Sequence, residues 1–133
     1  KAALTAASIP FDENLVFECG MNLKGTEHVA EYIASHPEVT GLVTTADYLA
    51  GNIIANLHKL HVNIPEDISV IGFDDLDICN LLSPPLTVHQ DMDLKGRTAV
   101  NFMLSILENP SEIPESIKLP TIIFERDSVK KIN

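Results

Sequence analysis

VNIPEDISVIGFDD, residues 62–75, is the stretch that decides the fold. Residues 68–73 within it predict a β-strand that is apolar on both faces, which is the pattern of a strand buried in a parallel sheet. The residues before it, 63–67, predict a turn. Asp74 and Asp75 follow the strand directly. The stretch therefore predicts a central strand with carboxylates at its carboxyl end.

Strands and helices alternate along the rest of the chain. Apolar periodicity predicts helices over 24–35, 46–60 and 91–108, and the tail of a further helix over 1–8. Strands are predicted over 15–19, 41–44 and 86–89, with one or two more over 117–124. With right-handed crossovers, this alternation predicts an α/β fold: a three-layer, doubly wound, mainly parallel sheet with helices on both faces.

Composition and charge narrow the classes of function. The 133 residues suffice for one domain, and 45% of them are hydrophobic. No apolar run approaches the roughly 18 residues that span a bilayer. A net charge of −10 repels phosphate backbones, so any role on DNA is expected to depend on residues outside this chain. Because the chain begins at Lys1 without Met, we expect a segment of a longer protein. Cys19 and Cys79 are expected to be free thiols in a reducing cytosol.

Two acidic residues stand where predicted strands end. Asp47 follows the 41–44 strand and Asp74 follows the 68–73 strand. Ligands of open parallel sheets bind outside the carboxyl ends of the strands. Carboxylates only accept hydrogen bonds, so a ligand rich in O–H or N–H donors, such as a sugar or nucleoside, is expected between them. Two alternatives stay open: Asp47 satisfies N–H groups at the start of its own helix, and Asp74 closes an Asx-turn.

Catalytic and metal motifs are missing from the sequence. His58 and His61 lie three residues apart near a predicted helix end, but no Cys or paired carboxylate stands at ligand spacing, so a solvated helix end is the better interpretation. There is no nucleophile elbow, P-loop or dinucleotide fingerprint. No metal, cofactor or enzymatic activity is predicted.

Ordered motifs lie over residues 47–50, 62–75, 82–88, 90–99 and 125–128. Together they resemble the lactose-repressor/galactose-repressor (LacI/GalR) family: residues 64–74 are similar to its signature V-P-x-D-[IV]-[SA]-[VI]-[VI]-G-[FY]-D, and residues 82–88 resemble its l-x-P-P-L-T-T-[VI]. Gln90, Gly96 and Ala99 are similar to the family's Q-x5-G-x2-A, and residues 125–128 resemble its x-R-x-S end. Anchored on Pro65, Asp47 falls on the family's N-D-x-x-A element.

The resemblance implies a lobe like those of type I periplasmic sugar-binding proteins. Residues 1–133 would form part of an effector-binding and dimerisation domain, with 1–90 mainly in the C-terminal lobe and 91–120 in the other lobe. A helix-turn-helix head, absent from this chain, would read operator DNA. The partners implied are a sugar-like small-molecule effector and a second copy in a homodimer, in the cytoplasm and without a membrane.

The same resemblance implies the residues of the site. Asp74 matches an effector contact of the family, and Asp47 lies on an element that lines the effector site. Ala46 stands where the family often has Asn, so one side-chain donor and acceptor is lost. An aromatic residue expected near 20–21 is replaced by Gly20 and Met21. The expected ligand-binding residues are therefore Asp74, Asp47, Ala46 and Met21.

Two other functions remain as alternatives to the effector-binding part of a repressor. A periplasmic sugar-binding protein of a transport system would share the fold, and a hydrolase would use Asp47 and Asp74 as paired carboxylates.

If 91–120 belongs to another lobe, the apolar stripe of the 91–108 helix is left without the surface that it would pack against. We therefore expect the chain either to self-associate or to repack that helix onto its own sheet.

Overall fold

The computed structural model describes residues 1–87, 91–111 and 116–131. Its helices are α1 (Ala2–Ala6), α2 (Glu27–Ser35), α3 (Asp47–Lys59) and α4 (Met92–Glu108), and its strands are β1 (Gly41–Val43) and β2 (Ser69–Ile71). Short 3₁₀ turns span Glu13–Leu15, Lys24–Thr26 and Asp77–Asn80. The helices predicted over 24–35, 46–60 and 91–108 are thus confirmed within a few residues.

The two strands form a parallel pair that carries the core. Gly41 lies opposite Ser69 and Val43 opposite Ile71. Thr87 extends the pairing beyond β2 through a single parallel bridge to Ile71. Helices α2 and α3 pack against each other. Their apolar stripes share one cluster with β2 and its neighbours, comprising Val29, Ala30, Ile33, Ala50, Ile53, Ile54, Leu57, Ile64, Ile68, Val70, Cys79 and Leu86.

The predicted strands over 15–19 and 117–124 are wrong. Residues 16–20 belong to no strand, and a groove of about 250 Å³ lies between residues 15–19 and β1. Residues 117–124 also run without a strand partner, and Ile123 is 73% exposed. Both segments have strand-like composition, but a strand exists only where a neighbour supplies backbone hydrogen bonds. Of the strand predicted over 86–89, Thr87 forms the parallel bridge to Ile71, and residues 88 and 89 lie outside the described residues.

Helix α4 stands apart from the core. The Asp91 side chain caps it by accepting a hydrogen bond from the Leu94 N–H at 2.8 Å. None of its residues is buried, and Leu107 is 72% exposed. The expected repacking of this helix onto the sheet is therefore not what the structure shows. In the described residues no helix is long and apolar enough to cross a membrane.

Candidate functional site

The carboxyl ends of β1 and β2 meet at one edge of the sheet. The pairing of Val43 with Ile71 continues one residue past β1, because the Thr44 N–H donates to the Ile71 carbonyl at 2.9 Å. The Thr44 hydroxyl contacts the Ile71 carbonyl and also the Ala46 carbonyl, at 3.2 and 3.1 Å. This parallel register brings the start of α3 next to residues 73–76, which we call the Asp74 loop.

Asp47 fixes the backbone of the Asp74 loop. Its carboxylate is 0% exposed. One oxygen accepts the N–H groups of Phe73 and Asp74 at 2.8 and 3.2 Å, and the other accepts the Leu76 N–H at 2.8 Å. Asp47 therefore satisfies N–H groups, but those of the loop across the sheet rather than those of its own helix. Direct effector contact by Asp47 stays a prediction, while the contacts seen here make it a positioning residue.

Buried hydrogen bonds set the charge state of Asp47. Burial acts to raise the pKa of this carboxyl, but hydrogen bonds from the loop N–H groups and the Cys79 thiol outweigh it and leave the pKa lowered. Burial, together with the hydrogen bond to Asp47 and its negative charge, raises the pKa of Cys79 to about 12. The pair is therefore an anion held by a neutral thiol. Both Cys79 and Cys19 are free, as expected.

Asp74 presents its own carboxylate at this edge. The residue is half-buried, and its backbone N–H is one of those that Asp47 accepts. Among the described residues its carboxylate has no hydrogen-bond partner, so the Asx-turn alternative is not what the structure shows. An ionised carboxylate accepts hydrogen bonds at up to about four lone-pair positions. Asp74 thus presents an open acceptor on a backbone that Asp47 holds.

Behind the loop lies a second set of polar contacts that sequence reasoning missed. Arg126 bonds the Asp75 carboxylate and the Leu86 carbonyl, both at 2.6 Å. The buried Ser128 hydroxyl donates to the Val70 carbonyl at 2.7 Å and accepts the Thr87 N–H at 2.8 Å. The sequence signal for these residues was the R-x-S pattern at 126–128, to which sequence reasoning assigned no structural or functional role. The segment 126–128 therefore joins β2 to residues 86–87.

Ala46 immediately precedes α3, and Met21 contacts the middle of that helix. Ala46 is the extended residue that precedes the helix, and it is half-buried. Met21 is 59% exposed, and its carbonyl accepts a hydrogen bond from the Asn52 side chain at 3.3 Å. Asn52 lies about 7.5 Å along the helix from Asp47, at 1.5 Å per residue. The structure thus brings Ala46, Asp47 and Asp74 together and ties Met21 to α3.

No metal set is found among residues 1–87, 91–111 and 116–131, where no three His, Cys, Asp or Glu side chains are grouped to hold an ion. His61 follows α3 with a left-handed φ of 59°. His36 stacks on Tyr32, with ring centroids 3.9 Å apart. These histidines therefore serve local structure. His89 lies outside the described residues.

The family of periplasmic binding protein-like domains matches residues 3–129. This match covers nearly the whole chain, and the parallel β1–β2 pair with α3 between its strands agrees with it. The chain therefore belongs to the periplasmic binding protein-like domain family, and the predicted fold class is confirmed.

Within that family, the relatives confirm the resemblance to LacI/GalR regulators. The HTH-type transcriptional repressor PurR of Vibrio atlanticus is 32% identical, over 100% of this chain and 40% of its own length. The ribose operon repressor of Escherichia coli K12 is 26% identical, over 96% and 39%. A solved LacI family transcriptional regulator from Enterococcus faecalis V583, with bound ribose, is 31% identical with a TM-score of 0.74, over 85% of this chain and 42% of that one. The chain thus spans about 40% of the curated relatives it matches.

Proposed function

We propose that this chain is the effector-binding part of a transcriptional repressor, and that its effector is a sugar or sugar-like molecule bound at the Asp74 loop. The relatives support this proposal: two are repressors, and one LacI family regulator was solved with ribose. In the proposed mechanism, binding at the loop alters the affinity of a helix-turn-helix head for its operator, which is a coupling between two sites.

The state of Asp74 carries the proposal. Its carboxylate is accessible and unpartnered among the described residues, while its backbone is held by the buried Asp47. Because the backbone that carries this carboxylate is already held, binding a hydroxyl group orders little more than the Asp74 side chain, and the entropic cost is low. Hydrogen bonds to a charged acceptor contribute about 1.5–3 kcal/mol each. Two adjacent sugar hydroxyls fit one carboxylate, which favours a polyol over an apolar ligand.

The other predicted site residues take supporting roles in this proposal. Asp47 orients the loop through the hydrogen bonds that its carboxylate accepts from the loop N–H groups. Ala46 supplies a small wall in place of an amide, which removes one polar contact and leaves room for a ligand substituent. Met21 offers a polarisable apolar surface where an aromatic residue would stack on the sugar ring. Specificity is therefore expected to rest on Asp74 and on contacts from outside this chain.

The rest of the protein enters as part of the same proposal. We infer that residues 91–120 pack in a second lobe, that the effector lies between the two lobes, and that the protein is a cytoplasmic homodimer whose head reads operator DNA. The exposed apolar face of α4, including Val100, Met103 and Leu107, supports a covering partner. The net charge of −10 repels the phosphate backbone of DNA, which supports a separate DNA-binding head.

Catalysis is not part of the proposed function. A carboxylate-pair hydrolase needs both carboxyl groups on the substrate, whereas Asp47 is buried and bonded to the Asp74 loop. The relatives reported above are two repressors and one transcriptional regulator, and none is a transport protein, which also favours the repressor over a periplasmic sugar-binding protein.

A thermal-shift screen of the intact protein tests the proposal. The probes are D-ribose, D-glucose, D-galactose, adenosine and uridine. At a probe concentration of 100 times the dissociation constant, binding stabilises the folded state by about 2.7 kcal/mol. Asp74→Ala is expected to abolish the shift, whereas Asp77→Ala is the matched control, because Asp77 is an exposed acid three residues away. A shift unchanged in Asp74→Ala removes Asp74 from the site.

A further inference from the structure

Arg126 joins two segments that are far apart in sequence. One guanidinium nitrogen bonds the Asp75 carboxylate at 2.6 Å, and the other donates to the Leu86 carbonyl at the same distance. Asp75 and Leu86 lie 51 and 40 residues from Arg126 along the chain. Both ends of the ion pair are about 80% buried, since their side chains are only 21% and 20% exposed. Arg126 is therefore held in one position by both acceptors.

The Asp75 end of this contact lies within the Asp74 loop, at the residue where the backbone turns. Asp75 has a left-handed φ of 55°, which L-residues adopt only at a cost, although Asp tolerates it better than most. The backbone turns at Asp75, between the N–H groups of Asp74 and Leu76 that Asp47 accepts. Asp47 thus bonds the backbone of the loop, and Arg126 bonds the Asp75 side chain within it.

The Leu86 end reaches the chain that leads toward α4. Thr87 is paired with Arg126 in both directions: the Arg126 N–H donates to the Thr87 hydroxyl oxygen at 2.8 Å, and that hydroxyl donates to the Arg126 carbonyl at 3.2 Å. Asp91, which caps α4, lies four residues after Thr87. The side chain and backbone of Arg126 therefore hold the last described residues before that helix.

We propose that Arg126 is a positioning residue that locks the Asp74 loop to the Leu86–Thr87 segment, so that the two move as one unit. That the unit responds to an effector rests on the proposed function. The lock itself is independent of any ligand. Its role differs from general stabilisation, because residues 126–128 have a separate backbone attachment to β2: the Val70 N–H donates to the Ser128 carbonyl at 2.8 Å.

Residue-resolved amide hydrogen exchange of the ligand-free intact protein tests this lock. Arg126→Gln keeps every backbone contact of Arg126 and removes the charged bridge. The amides of Phe73, Asp74 and Leu76 are then expected to exchange roughly tenfold faster, while the Val70 amide keeps its rate. Arg126→Lys is expected to fall in between, since one ammonium cannot match the two-sided geometry of a guanidinium.

Two further variants make the result decisive. Arg97→Gln is the matched control, because Arg97 forms an exposed ion pair with Asp93 on α4, and it should leave loop exchange unchanged. Asp75→Asn keeps a residue that tolerates left-handed φ and removes the charge. If the lock acts through this pair, Asp75→Asn with Arg126→Gln accelerates exchange no more than Arg126→Gln alone. Wild-type loop rates in Arg126→Gln, or equal acceleration of the loop and Val70, would overturn the proposal.

Discussion

Replacing Asp47 by Asn removes a buried charge at the point where three backbone N–H groups converge. The amide keeps one acceptor oxygen, but its NH₂ group faces the N–H donors that the second oxygen used to accept. Each hydrogen bond to a charged group contributes about 1.5–3 kcal/mol, and the contributions within one network are not additive. We therefore expect Asp47→Asn to lower the free energy of unfolding by about 3–5 kcal/mol at pH 7.

The pH dependence gives this prediction a second readout. The pKa of Asp47 is lowered in the folded state, and the unfolded carboxyl titrates near its usual value of about 3.9. The contribution of ionised Asp47 to the free energy of unfolding is therefore fully present above that value and is lost as pH falls through the pKa of the folded state. The difference in free energy of unfolding between wild type and Asp47→Asn should be constant from pH 7 to about pH 5 and should shrink below about pH 4.

Urea unfolding at several pH values measures both effects. Asp77→Asn makes the same chemical change on an exposed acid and should stay within about 0.5 kcal/mol of wild type. The reasoning is refuted if Asp47→Asn costs less than about 1 kcal/mol at pH 7, or if its cost is as large at pH 3 as at pH 7.

Three other consequences follow from the same contacts. Ser128→Ala leaves the buried Val70 carbonyl and Thr87 N–H without the hydroxyl that bonds them. It should lower the free energy of unfolding by about 2–4 kcal/mol in urea, and a loss below about 0.5 kcal/mol would contradict this role. At pH 8.5 iodoacetamide should label Cys19 and leave the buried Cys79 unmodified in the native protein, since the pKa of Cys79 is raised to about 12; equal labelling by mass spectrometry would refute its burial. The 133-residue chain should self-associate in size-exclusion chromatography with light scattering through the exposed face of α4. A stable monomer with α4 exchanging freely would contradict this expectation.

Much of the fold was predictable because its helices and core strands have local signatures. Helices α3 and α4 carry apolar stripes over more than three turns, and β2 is apolar on both faces. The failures at 15–19 and 117–124 have one physical cause. Apolar, extended residues indicate a strand, but local sequence does not say whether a pairing partner lies within hydrogen-bond distance.

The placement of Asp47 and Asp74 at one edge of the sheet was predicted correctly, but their separate roles were not. Asp47 and Asp74 both stood at strand ends, and the parallel register brought them to one edge. Which carboxylate turns inward depends on the path of residues 73–76, a property of the loop rather than of either acid. The role of Arg126 depends on contacts across 40 and 51 residues, which periodicity does not reveal.

The central claim is that Asp74, on a backbone fixed by Asp47, accepts hydrogen bonds from the hydroxyl groups of an effector. A crystal structure of the intact protein with the sugar that stabilises it most tests this directly. We predict a ligand hydroxyl at about 2.5–2.9 Å from an Asp74 carboxylate oxygen, with Asp47 still bonded to the loop N–H groups. A sugar bound away from this edge of the sheet would contradict the claim.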